Sequence, residues 1–210
     1  MPLNDSDKRF FDLLAQNPDK DKNATLENMR ADIKVFEPFV DEPADIDFED
    51  HFIVAKAGHQ IRLRYYSVDA QTKPLIIYFP GNAFIFDCFE INHTIISKIA
   101  KIAECNAVMV ECRLSPEHPY PAPLEDGMEA VEYILNHLDF FHVDKSKIIM
   151  SGYSSGANLA AVLTNRLRVK KGAIFHQFLI SGGYDYTDSL HDFDEYALQD
   201  KMLDPDICTL

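Results

Sequence analysis

Gly152-Tyr153-Ser154-Ser155-Gly156 follows the apolar run Ile148-Ile149-Met150 and opens a helix-like segment, Ala157-Asn158-Leu159-Ala160-Ala161-Val162-Leu163. Strand, Gly-bounded turn and helix in that order predict a nucleophile elbow, a turn so tight that the residues two before and two after the serine must lack side chains. Ser154 then projects from a strained backbone into the space above the sheet. Its place at the start of a helix adds backbone N–H groups and the positive end of a dipole where an oxyanion would form. An ordinary Gly- and Ser-containing turn is the competing reading of the same five residues.

On either side of this turn, buried strands alternate with helices. Leu75-Ile76-Ile77-Tyr78-Phe79 is a continuous apolar run, as expected of a strand covered on both faces, and Ala107-Val108-Met109-Val110 and Lys147-Ile148-Ile149-Met150 repeat the pattern. A fourth such run extends from Ala173 to Ile180. Between them, residues 91–104 and 124–138 carry helical periodicity, the first through Ile95, Ile96, Ile99 and Ile102. This order predicts an α/β fold with a mostly parallel sheet flanked by helices. Ahead of it, Phe52–Ala55 and Ile61–Tyr66 form a hairpin about Ala57-Gly58-His59. Arg62 and Arg64 alternate there with Ile61, Leu63 and Tyr65, the period of a half-exposed antiparallel edge. Residues 7–35 read as two amphipathic helical pieces broken at Asn17-Pro18-Asp19, followed by the acidic linker Asp41–Asp50. The expected division is 1–45, cap-like N-terminal helices and linker, and 46–210, an incomplete α/β core.

Reactive sites of such sheets lie at the carboxyl ends of the strands. Pro80-Gly81-Asn82-Ala83, Arg113-Leu114-Ser115-Pro116-Glu117-His118 and the turn at Ser154 all fall there.

These three segments, in this order, resemble the hormone-sensitive-lipase-like branch of the α/β-hydrolase fold. That family carries His-Gly-Gly-Gly where Pro80-Gly81-Asn82-Ala83 stands, and Tyr-Arg-Leu-Ala-Pro-Glu-His-Pro where Cys112-Arg113-Leu114-Ser115-Pro116-Glu117-His118-Pro119 stands. Its Gly-Asp-Ser-Ala-Gly-Gly-Asn-Leu-Ala compares with Gly152–Ala160. The likeness extends over roughly residues 5–182. It implies a carboxylic-ester hydrolase acting on short- to medium-chain acyl esters, with Ser154 as nucleophile. Backbone amides among Gly81, Asn82, Ala83 and Ser155 would form the oxyanion hole. No metal or organic cofactor is implied, and the histidines show no metal-ligand spacing. Pro80 in place of the motif histidine, and Asn82 and Ala83 in place of glycines, imply an altered loop. His118 is expected to buttress it.

The family places its acid and histidine after two further strands. Only 28 residues follow Gly182, fewer than the roughly 30 or more that a single strand–helix–strand unit takes. His176, inside the fourth run, reads as a core or surface histidine. His191, with Asp185, Asp188, Asp192 and Asp194 nearby, reads as solvated surface, with a relay to one of those acids that would make it the base as the minor alternative. Three arrangements stay open: a piece of a longer esterase lacking its last strands, a complete but degenerate member kept as a non-catalytic binding or regulatory protein, or a chain borrowing its base from a partner. A sheet short of strands would expose an apolar edge suited to self-association. Phe10, Phe11, Phe36 and Phe39 are candidate pocket walls or packing residues.

A formal charge of −14 disfavours nucleic acid and anionic membranes as partners. Cys88, Cys105, Cys112 and Cys208 show no disulfide framework, and no apolar run approaches a membrane span. With no basic, apolar leader at the N-terminus, a cytoplasmic location is the expectation.

Overall fold

The computed structural model describes residues 25–33, 40–168 and 173–184. The chain divides into two compact units, residues 40–183 and a second drawn from residues 1–39 and 184–210. In the second unit, helix α1 (Leu26–Asp32) starts at Thr25, whose side chain accepts from the Asn28 N–H at 3.3 Å. The first of the two expected N-terminal helical pieces, Phe10, Phe11, Phe36, Phe39, Cys208 and His191 with its neighbouring acids lie outside the described residues.

Residues 40–183 form a six-stranded sheet ordered β1-β2-β4-β3-β5-β6. Its strands are β1 (Asp47–Val54), β2 (Gln60–Ser67), β3 (Lys73–Phe79), β4 (Asn106–Val110), β5 (Val143–Tyr153) and β6 (His176–Ile180). β1–β2 and β2–β4 pair antiparallel, whereas β4, β3, β5 and β6 run parallel. Helix α2 (Phe89–Ala103) links β3 to β4, α3 (Ala122–Asn136) links β4 to β5, and α4 (Ser155–Leu167) links β5 to β6.

Two cores explain the uninterrupted apolar runs. Leu75, Ile77 and Phe79 of β3 join Val108, Val110, Met150, Leu159 and Leu163 on one face. Ile76 and Tyr78 join Tyr66, Phe89, Ile96 and Met109 on the other. Successive side chains of a strand point to opposite faces, so a strand sandwiched between helices must be apolar at every position. Each large side chain removed from water in this way contributes about 1.5–3 kcal/mol.

Three expectations are corrected. β1 begins at Asp47, inside the stretch read as linker, because Phe48 packs on His93 with ring centroids 4.7 Å apart and Asp50 pairs with Arg64. β2 is no half-exposed edge: it lies between β1 and β4, and Arg64 is buried. The Arg64 guanidinium binds both Asp50 and Glu90 through paired contacts of 2.7–3.1 Å, and it lies over the Phe48 and Phe89 rings. A long cation can be buried where two carboxylates and two aromatic faces replace its water. Finally, β6 is not buried: His176 and Phe178 are exposed and its other residues half-buried, as befits an edge strand among the described residues.

Candidate active site

The parallel strands β3, β4, β5 and β6 deliver Phe79, Val110, Tyr153 and Ile180 to one edge, and the loops that follow them meet there. Ser154 sits between β5 and α4 with φ 52° and ψ −121°, a conformation costly for any residue with a Cβ. Its backbone N–H donates to the Ile180 carbonyl at 2.9 Å, and its carbonyl accepts from Ala157 and Asn158. The glycines on either side are steric necessities. A methyl at Gly152 would run into the Gly156 carbonyl, and one at Gly156 into the carbonyls of Phe79 and Pro80.

Ser154 occupies the N-cap position of α4, where a serine hydroxyl ordinarily accepts from an amide of the first turn. Here it makes no such bond, because the positive φ swings the side chain off the helix end. Among the described residues nothing hydrogen-bonds its Oγ. A hydroxyl left out of its usual capping role distinguishes this serine from an ordinary turn residue.

The loop after β3 is fastened by side chains. Asn92 of α2, 2% exposed, accepts from the Gly81 N–H at 3.0 Å and the Tyr78 hydroxyl at 3.0 Å. Its amide nitrogen donates to the carbonyls of Gly81 at 3.0 Å and Cys88 at 2.9 Å. The Asn82 N–H donates to Ser155 Oγ at 3.0 Å, that hydroxyl donates to Asn82 Oδ1 at 2.9 Å, and Oδ1 also accepts from the Phe84 N–H at 2.9 Å. Ala83 and Phe84 then take positive φ, 48° and 61°. Of the four amides singled out from the sequence, those of Gly81 and Asn82 are engaged by Asn92 and Ser155. The Ala83 N–H has no acceptor among the described residues, and Ser155, as the first helical residue, has no carbonyl a turn earlier in its helix.

The segment after β4 braces this loop from behind. Arg113 clasps Asp126 of α3 with its backbone N–H at 2.9 Å and its guanidinium at 2.8–3.1 Å. His59 reaches the same carboxylate at 2.8 Å. The Ser115 N–H donates to the Phe84 carbonyl at 2.8 Å. The bracing is the work of Arg113 and Ser115: His118, expected to buttress the loop, is exposed, and its backbone N–H bonds the Leu114 carbonyl. Asn92 escaped the sequence reading because an asparagine on an amphipathic helix carries no signal of where its amide points.

No competing nucleophile stands out among the described cysteines. Burial pushes the Cys88 thiol up to about 11, raises that of Cys105, and lifts that of Cys112 well above the ordinary range. A thiol held protonated is inert. His176 opens β6 opposite Ile149, four residues or about 13 Å along the strand from Ile180. A small pocket lined by Phe79, Asn82, Phe84, Cys112 and Leu159 lies behind the loop and does not include Ser154.

A family model for the α/β-hydrolase fold matches residues 76–209. The chain belongs to the α/β-hydrolase fold family. Within that family it resembles carboxylesterases: probable carboxylesterase 1 of Arabidopsis thaliana is 34% identical over 116 residues, half of this chain and 36% of that protein. Esterase LipI of Mycobacterium tuberculosis is 33% identical over 100 residues, 48% of this chain and 31% of LipI. The matches thus span about a third of those relatives' length. Among solved structures, a hyperthermophilic esterase from the archaeon Pyrobaculum calidifontis superposes with TM-score 0.87 at 26% identity, covering 99% of this chain and 68% of that one. The thermostable carboxylesterase EstE1 gives 0.80 at 25%, covering 88% and 65%. No helix among the described residues is long and apolar enough to cross a membrane.

Proposed function

We propose that this chain carries the nucleophile half of a carboxylic-ester hydrolase acting on small acyl esters. Ser154 Oγ attacks the ester carbonyl carbon, the carbonyl π electrons move onto oxygen, and the tetrahedral oxyanion is stabilised by the amides of Ala83 and Ser155. Gly81 and Asn82 shape the loop that presents them. Collapse of the intermediate expels the alkoxide, which takes up a proton, and water then hydrolyses the acyl-enzyme. Preorganised amides of this kind typically contribute about 3–4 kcal/mol per donor to the transition state. The observation that carries the reading is the Ser154 hydroxyl, held at positive φ and free of the capping bond its position would otherwise give it.

Attack also requires a base to accept the serine proton, and a carboxylate to set that base's tautomer. Among the described residues none hydrogen-bonds Ser154 Oγ. The expected activity of the 210-residue chain is accordingly weak. Incubation with a fluorophosphonate probe, alongside turnover of p-nitrophenyl acetate and butyrate, tests this. Slow labelling that disappears in Ser154→Ala supports it, and labelling that persists in that variant overturns it.

A second reading, a non-catalytic binding protein on the same scaffold, is favoured by the engagement of the Gly81 and Asn82 amides. Complete absence of labelling, with the fold intact, would select it.

A further inference from the structure

Two of the motif positions that depart from the family pattern, Asn82 and Ser155, touch each other. The Ser155 hydroxyl accepts from the Asn82 N–H at 3.0 Å and donates to Asn82 Oδ1 at 2.9 Å, closing a small ring between the loop after β3 and the first residue of α4. Ser155 is 3% exposed and Asn82 half-buried, so the ring is partly withdrawn from water. Asn82 is also the pivot of its own loop. Its Oδ1 accepts from the Phe84 N–H, and its backbone carbonyl accepts from Ile85 at 3.0 Å and Phe86 at 2.8 Å. Within this anchored stretch lie Ala83 and Phe84, two consecutive non-glycine residues held at positive φ.

We propose that Asn82 and Ser155 act as one positioning unit, a side-chain clip that holds the amides of Ala83 and Ser155 facing Ser154 in a loop lacking the glycines that would otherwise adopt that shape. A glycine-rich loop reaches left-handed conformations at little steric cost, whereas Ala83 pays for its φ of 48° and needs an external constraint. The clip supplies one, and it ties the loop to the same helix terminus that carries the second amide. Neither side chain would touch the substrate. Asparagine at one position and serine at the other are therefore a matched pair: serine alone leaves its buried hydroxyl without the Oδ1 acceptor, and asparagine alone leaves its N–H without the Ser155 oxygen. The proposal rests on Ser154 being the nucleophile.

The test uses the full 210-residue chain, with Asn82→Ala, Ser155→Ala and the double variant. Fluorophosphonate labelling of Ser154 is followed as a function of probe concentration, so that the maximal rate and the half-saturating concentration are separated, and backbone amide hydrogen exchange is read by NMR. Each single variant is expected to lower the maximal rate about tenfold with half-saturation unchanged, and the double variant to fall no further, because one unit is lost only once. Phe84 and Asn82 amides should exchange faster in both singles. Single variants within twofold of the parent, or a double variant showing the product of the two losses, would overturn the clip. Should the parent chain itself not label, the esterase reading fails, and exchange decides the clip alone: faster exchange at Phe84 in both singles supports it and unchanged exchange overturns it. If Asn82→Ala does not fold, Ser155→Ala decides by the same measurements.

Discussion

Gly81 lies directly against Ser154: a methyl group on Gly81 would sit 3.2 Å from Ser154 Cβ and 2.8 Å from the Tyr153 carbonyl. The loop after β3 and the serine turn are thus in close contact, and under the proposed function the missing side chain sets the spacing between oxyanion donors and nucleophile. Gly81→Ala should push the two apart. The expected outcome is a labelling rate reduced by about a hundredfold in a protein whose far-ultraviolet circular dichroism is unchanged.

The strain at Ser154 predicts an order of stability among its variants. Ser154→Gly and Ser154→Ala both delete the hydroxyl, but only glycine is at ease at φ 52° and ψ −121°. The glycine variant should be the more stable of the two by about 1 kcal/mol, net of glycine's greater unfolded-state entropy. Thermal melts should separate them by about 2–4 °C.

Asn92 uses its full side-chain amide on the Tyr78 hydroxyl, both polar groups of Gly81 and the Cys88 carbonyl. Asn92→Ala should cost about 1–3 kcal/mol, the penalty of stranding buried polar groups. Asn92→Asp keeps the acceptor for the Gly81 N–H but aims an oxygen at two carbonyls. Urea denaturation should therefore find the aspartate variant destabilised as well, despite its matching shape.

Two pH windows follow from the cluster around Arg64. Burial, reinforced by the nearby Arg64 cation, lowers the His93 pKa below its usual 6.5 despite Glu90 and Asp50. The buried Tyr66 phenol stays protonated and hydrogen-bonds His93 Nδ1 at 2.8 Å. The unfolded chain therefore takes up the imidazole proton first, and stability should fall as pH drops below about 6.5, until the folded value is passed. The hydrogen bond from Arg64 lowers the Asp50 carboxyl below its usual 3.8. Its contribution is present above that value and lost as pH falls through the folded one. Urea titrations between pH 7.5 and pH 3 check both. His93→Asn should remove the upper window and leave the lower.

Much of this arrangement was legible in the residues. Runs such as Leu75–Phe79 announce strands covered on both faces, because alternation vanishes when both sides are apolar. The turn at Ser154 was legible because its glycines answer a local steric demand. What escaped is what depends on partners distant in sequence. Arg64 looks like an exposed residue until Glu90, 26 positions away, comes to cover it. Asn82 and Ser155, 73 positions apart, look like two separate departures from a motif until the fold brings them into contact. Phe175 and Phe178 read as core, yet they lie just before and within β6, an edge strand among the described residues, which has neighbours on fewer sides than its sequence alone suggests.

The bond from the Ser154 amide to the Ile180 carbonyl bears on how such a turn could be moved between proteins. The amide of the strained residue is satisfied by a strand that begins 22 residues later, so Gly152–Gly156 is not a portable unit. Grafting those residues onto another strand–helix junction would transplant the letters without the acceptor that holds their middle residue. Limited proteolysis between α4 and β6, followed by release of the C-terminal piece, should for the same reason let the serine relax into an ordinary helix cap.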